Sequence, residues 1–204
     1  MSNQGVSSNS IATNVKNKVM RFSRGKVFTT ESLKVEGSPA TIQRALSRLV
    51  AQGELQRVHK GVYYKPEIGT LIKKPLPPNV NQAIEVITKH NGEKTQVHGA
   101  WAANKLGLST QVPMIKVFYT SGSSREIEVA GSRVKFIHTR NKALLESKDP
   151  LVGMAVSAMH YLGKDAVNPQ IVERIKQKMS QQEFEKLKSL KLAGWMKSAI
   201  QKVA

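Results

Sequence analysis

Residues 38–65, SPATIQRALSRLVAQGELQRVHKGVYYK, leave their backbone few alternatives. Ser38 is a helix-capping residue, and Pro39 suits the first helical position, where a missing N–H costs nothing. Ile42, Leu46, Leu49 and Val50 then recur on one stripe of an α-helix, which Gly53 ends. Two runs of β-formers follow, Leu55–Val58 and Val62–Tyr64, on either side of a tip at His59-Lys60-Gly61 where glycine accommodates the turn. A helix followed by such a hairpin is the second half of a winged helix-turn-helix.

The preceding residues supply the first half. Ile11, Val15, Val19 and Phe22 recur at helical spacing behind Ser10 as a cap, with Gly25 beyond the end. Thr29 caps a short second helix carrying Leu33, and Val35-Glu36-Gly37 turns the chain into the third. In helix-turn-helix proteins the recognition helix enters the major groove with its N-terminal residues on base edges. Here its solvent side holds Ala40, Thr41, Gln43, Arg44, Ser47 and Arg48. Arg44 can donate two hydrogen bonds to guanine, Gln43 can pair with adenine, and Thr41 and Ser47 suit phosphate or a thymine methyl. His59 and Lys60 at the hairpin tip fall to the DNA backbone or minor groove. An ordinary solvated helix face would look the same, and winged helices also serve as protein-binding modules, so charge has to weigh the choice.

The whole chain carries 32 Lys and Arg against 14 Asp and Glu, a formal net charge of +18. Residues 1–66 hold 11 of those bases and only three acids, Glu31, Glu36 and Glu54, which leaves +8 locally. Such an excess attracts polyanions and makes affinity fall with salt as counterions are released, so the balance favours DNA. The remainder is basic as well, at +10 spread over twice the length.

At 204 residues the chain has room for two small domains. Pro66, Gly69, Pro75, Pro77 and Pro78 mark an extended linker over 66–80, which divides a domain at 1–65 from one at 81–204. In the second, Asn81–His90 and Gly99–Leu106 read as helices. The period then changes to two through Ile115–Tyr119, Glu126–Val129 and Val134–His138, which predicts a three-stranded antiparallel meander with Ser121–Ser124 as its first turn. Asp149-Pro150, Asn168-Pro169 and Ser180 with Glu183 then open helices whose apolar stripes are ordinary core faces. The expected fold is α+β: an N-terminal winged helix-turn-helix, then a mixed domain with the meander and a helical C-terminal part.

No apolar run reaches membrane-spanning length, and MSNQGVSSNS is polar rather than signal-like, so the expectation is a soluble, cytoplasmic protein. Zero cysteines exclude disulfides and thiolate metal sites. The five histidines, His59, His90, His98, His138 and His160, show no ligand spacing, and no phosphate-binding loop or dinucleotide fingerprint occurs. Asp149 and Asp165 are the only aspartates, and Asp149 already reads as a helix cap. The expectation is a non-enzymatic protein without cofactor or metal.

HKGVYYKP at the end of the first module, LGLSTQVP at 106–113 and YTSGSSREIEVAGSRVKFIHT at 119–139 together resemble the AbiEi-type antitoxins of type IV, abortive-infection toxin–antitoxin systems. The likeness covers about residues 10–145. It implies a bacterial protein whose winged helix binds promoter DNA repeats and represses its own operon, and whose C-terminal domain counteracts a nucleotidyltransferase-like toxin, with or without a stable complex. On that resemblance DNA readout falls to Thr41, Gln43, Arg44, Ser47 and Arg48, with Arg57, His59 and Lys60 on the wing. Toxin antagonism falls to Arg125, Arg133, Lys135 and Arg140, which would equally serve to solubilise the sheet. A stand-alone winged-helix transcriptional regulator with a ligand-sensing or assembly domain is the alternative, and an RNA-binding or RNA-modifying protein the third reading.

Overall fold

The computed structural model describes residues 8–71 and 73–203. Its first helix, α1 (Ser8–Met20), contains Ser10 rather than being capped by it. Strand β1 (Val27–Thr29) comes next, then a 3-10 turn (Glu31–Leu33), α2 (Pro39–Ala51), β2 (Gln56–His59) and β3 (Val62–Tyr64). The expected second helix is thus only one turn: residues 27–29 are taken by the sheet, and the Thr29 hydroxyl accepts the Ser32 N–H at 3.2 Å. Ser38 caps α2 as its residue type dictates, its Oγ accepting the Thr41 N–H at 3.2 Å. Ile11, Val15 and Val19 of α1 share one core with Ile42, Leu46 and Leu49 of α2, closed by Phe28, Leu33, Leu55 and Tyr63. The sheet runs β1-β3-β2, antiparallel throughout, with a bulge between Arg57 and His59.

Residues 66–80 were expected to form an extended linker. They include a small hairpin instead, β4 (Glu67–Ile68) paired with β5 (Pro75–Leu76), which places Pro75 in a two-stranded ladder where its lost donor is tolerated. Helix α3 (Val80–His90) then packs on β1 and buries Ala83, Ile84 and Ile87. The chain divides into one unit of residues 1–92 with 129–132 and another of 93–128 with 133–204. The first unit therefore runs past the expected boundary at 65 and includes α3.

After α3 the chain forms β6 (Thr95–Val97), α4 (Gly99–Lys105), β7 (Lys116–Thr120), β8 (Arg125–Val129), β9 (Ser132–His138) and α5 (Lys142–Glu146). After these come α6 (Pro150–Leu162), α7 (Pro169–Lys176), α8 (Gln181–Ser189) and α9 (Gly194–Gln201). The expected antiparallel meander does not form. The sheet order is β6-β7-β9-β8, and β7 pairs with β9 in parallel, Lys116 opposite Val134 and Thr120 opposite His138. Two local causes account for this. Ala130 and Gly131 have φ of 52° and 75°, the two positive angles of a tight hairpin turn that matches strand twist and keeps β8 beside β9. Meanwhile Ser121–Ser124 crosses the end of β9, where the His138 N–H donates to Ser124 Oγ at 2.8 Å and His138 Nδ1 lies 2.7 Å from the Gly122 carbonyl.

The helical part follows its punctuation. Asp149 caps α6, Asn168 caps α7, and Ser180 with Glu183 forms a capping box on α8. Val152, Ala155, Val156 and Met159 of α6 are buried with Ala102 and Ala103 of α4, Val172 and Ile175 of α7, Phe184 and Leu187 of α8, and Met196 and Ile200 of α9.

Candidate nucleic-acid interface

The apolar stripe that fixes α2 in the core also decides what is left outside. Arg44, Ser47 and Arg48 are exposed, one helical turn apart on a single ridge, and Thr41 is half-buried at its start. Thr41 is partly committed to the cap, its hydroxyl 2.8 Å from Ser38 Oγ. Gln43 is committed too: its side-chain amide donates to the Tyr63 hydroxyl at 2.7 Å, tying α2 to β3. The structure therefore separates Gln43 from the three residues whose side chains are turned to solvent.

The hairpin presents Arg57 and Lys60, both exposed, with His59 half-buried as the last residue of β2. The Arg57 Nε donates weakly to the His59 carbonyl at 3.4 Å, which holds the guanidinium along the strand. The turn itself is braced. Gly61 has φ of 74°, a Cβ there would stand 2.8 Å from His90 Nε2, and its carbonyl accepts the Thr30 N–H at 3.1 Å. His90 is in turn 3.2 Å from the Glu31 carboxylate through Nδ1. Behind the sheet, burial pushes the Tyr64 phenol up, so that it remains a neutral donor shared by the Gln56 side chain and the Leu76 carbonyl.

Among the described residues Arg44, Arg48, Arg57 and Lys60 have no carboxylate partner within ion-pair distance. Unpaired cations on one ridge and one hairpin suit a polyanion. Sequence reasoning missed a neighbouring group. Asn14, Asn17 and Lys18 on α1 and Arg21 just past its end line a cleft with Lys34, Val35 and Glu36, beside the turn that enters α2. Lys34 holds a left-handed conformation, φ 49°, at the end of the 3-10 turn. The available signal was the pair of basic residues at the end of α1. Lys65, another base of this region, is structural, its Nζ donating to the carbonyls of Met20 and Phe22 at 2.8 and 2.9 Å and closing the C-terminus of α1.

The four bases assigned to the second unit part company. Arg125 is internal to its sheet: its guanidinium meets Glu93 at 2.8 Å and lies 4.3 Å from the Phe136 ring centroid, while Thr120 also donates to Glu93. Arg133, Lys135 and Arg140 are exposed, and Arg133 stands 3.9 Å from Glu126.

Residues 14–187 match the family described as "Family of unknown function (DUF6088)". The chain belongs to that family. No curated protein matches this DUF6088 member. Among solved structures it is similar to the RV2827C protein from Mycobacterium tuberculosis, at 16% identity and a TM-score of 0.43, over 95% of this chain and 76% of that one. Among the described residues no helix is long and apolar enough to cross a membrane, and no group of three or more His, Asp or Glu could hold a metal ion.

Proposed function

We propose that the first unit is a winged-helix module that reads duplex DNA, with α2 in the major groove and the β2–β3 hairpin as the wing, and that the protein is a transcriptional regulator. The element order helix, strand, helical turn, helix, hairpin, with the first strand pairing beside the last, supports this reading. The observation that carries it is the ridge of Arg44, Ser47 and Arg48, unpaired and exposed on the helix that follows the turn. We extend the proposal to autoregulation by an antitoxin on the likeness of residues 106–113 and 119–139. Arg133, Lys135 and Arg140 then remain available for a nucleotidyltransferase-like partner, and Arg125 serves the sheet.

The test is a competition gel shift on duplex DNA from upstream of the protein's own gene, against a scrambled duplex of equal composition. The full-length protein is expected to prefer the native sequence. Arg44→Ala should weaken that duplex by about 1–3 kcal/mol and the scrambled one far less, whereas Lys60→Ala should weaken both alike. Equal affinity of the wild type for both duplexes, or an Arg44→Ala variant with undiminished preference, removes the readout assignment. Co-expression with the product of an adjacent transferase gene tests the extension separately, growth rescue being the expected result.

A further inference from the structure

The second unit carries a cluster of rings at the edge of its core, reached through Tyr119, that the proposed DNA site does not use. His98, the cap of α4, has its imidazole 4.9 Å from the Tyr119 ring of β7 and 5.7 Å from the Tyr161 ring of α6. Tyr119 in turn lies 6.4 Å from His160. The rings meet at interplanar angles of 40°, 68° and 79°, tilted and edge to face rather than in a parallel stack.

This surface is built by small residues. A Cβ at Gly99 would overlap the Tyr161 Cβ and the Ser157 carbonyl, so only glycine admits α6 this close to α4. One turn along, Gly153 leaves room for the Gln96 amide, and the buried Ser157 hydroxyl donates to the Val97 carbonyl at 2.7 Å. The scaffold is thus rigid under rings of graded exposure: Tyr161 is 45% exposed and His160 is exposed, while His98 and Tyr119 are half-buried beneath them. Along α4 the face of His98 continues through Trp101 and Lys105, whose ammonium sits 5.1 Å from the indole centroid.

Exposed rings alone would suit several partners, but their surroundings narrow the choice. Residues 93–128 and 133–204 hold 18 Lys and Arg against 9 Asp and Glu, a net +9. Burial together with the nearby His160 lowers the His98 pKa, and its Nδ1 accepts the Ala100 N–H at 3.4 Å, as a neutral ring can. Accessible π-faces within a strongly basic unit match a ligand that has flat rings on a polyanionic backbone. We propose that His98, Tyr119, His160 and Tyr161 form a stacking platform for the unpaired bases of single-stranded nucleic acid. Aromatic stacking of this kind tolerates any base, while the lysines follow the backbone.

The experiment is fluorescence anisotropy of a labelled twelve-nucleotide oligoadenylate RNA titrated with the full-length protein at fixed salt. Tyr161→Ala is expected to weaken binding about tenfold, the usual consequence of losing one stacked base, and Tyr161→Phe to stay within about twofold. On an Arg44→Ala, Arg48→Ala background Tyr161→Ala should bring the same loss of about tenfold, which keeps this platform distinct from the DNA ridge. On the wild type, the ring-proton resonances of His98 and His160 should shift as RNA is added, a readout independent of any variant's folding. Full RNA affinity in Tyr161→Ala, no Tyr161→Ala effect on the double-variant background, or unmoved histidine resonances overturns the assignment.

Discussion

At the scale of single residues, a side chain's availability depends on partners that lie far away in sequence. Gln43 sits on the polar side of α2, where an adenine contact is reasonable, yet it bonds to Tyr63, 20 residues on. Arg125 is likewise one of four bases on or beside the strands until Glu93, 32 residues earlier, pairs with it. Arg44, Ser47 and Arg48 were legible because a helix with a fixed apolar stripe determines its own outer face. His98 allows a direct check of residue-level electrostatics. Burial is the larger cause of its lowered pKa and His160 the smaller, so His160→Gln should raise it part of the way toward 6.5. Histidine resonances followed by NMR from pH 8 to 4.5 would show this, and an unchanged midpoint would remove His160 as a cause. The sign for stability follows. Between the lowered pKa and 6.5 the unfolded chain binds more protons at this site than the folded one, so acidification through that window destabilises the second unit.

Among elements, helices opened by a side-chain cap ahead of a long apolar stripe were the readable ones, and the five-residue α5 behind Asn141 was not. Ser38, Asp149, Asn168 and Ser180 each accept a backbone N–H two or three residues on, an interaction contained within the segment that signals it. Strands carry no such record of their neighbours. Alternation through Ile115–Tyr119 says which side chains share a face, but not that β9 will lie next to β7 in parallel with β8 outside. The order depends on the Ala130-Gly131 turn and on a crossing at Ser121–Ser124, and Ala130 is an unexpected residue for φ of 52°. Strands β1 and β6 have three residues each, too few for a period to register. Helix packing is similarly invisible until the glycines are placed in space. Gly99→Ala should force α4 and α6 apart and cost about 1–3 kcal/mol, the range for overpacking a close contact. Urea denaturation with an unchanged slope and a lower midpoint is the expected result, and a midpoint equal to the wild type's would show that the two helices yield freely.

For the whole molecule the useful division is between residues 1–92 and the rest, because α3 carries the stability of a module whose proposed DNA contacts end at Lys60. Ile84 and Ile87 are 3% and 0% exposed, and burying such a side chain fully contributes about 1.5–3 kcal/mol each. His90 at the end of α3 also stands against both Gly61 and Glu31, so the helix braces the hairpin turn from behind. A chain cut after Lys65 keeps the Arg44, Ser47 and Arg48 ridge but loses that support, and Val27 and Phe28 of β1 lose the helix packed on their strand. A chain cut after Gly92 keeps both. The 1–92 fragment is therefore expected to melt cooperatively and to bind the native duplex, with a salt dependence weaker than the full protein's because 18 bases have been removed. The 1–65 fragment should melt lower, and its remaining affinity should recover on cooling, since the residues proposed to contact DNA are intact. Thermal melts followed by circular dichroism, paired with anisotropy at two salt concentrations, decide the matter. Equal melting of the two fragments would mean that α3 is a passenger, and the hairpin would then have to draw its rigidity from the Thr30 bonds to Gly61 and the Gln43 bond to Tyr63.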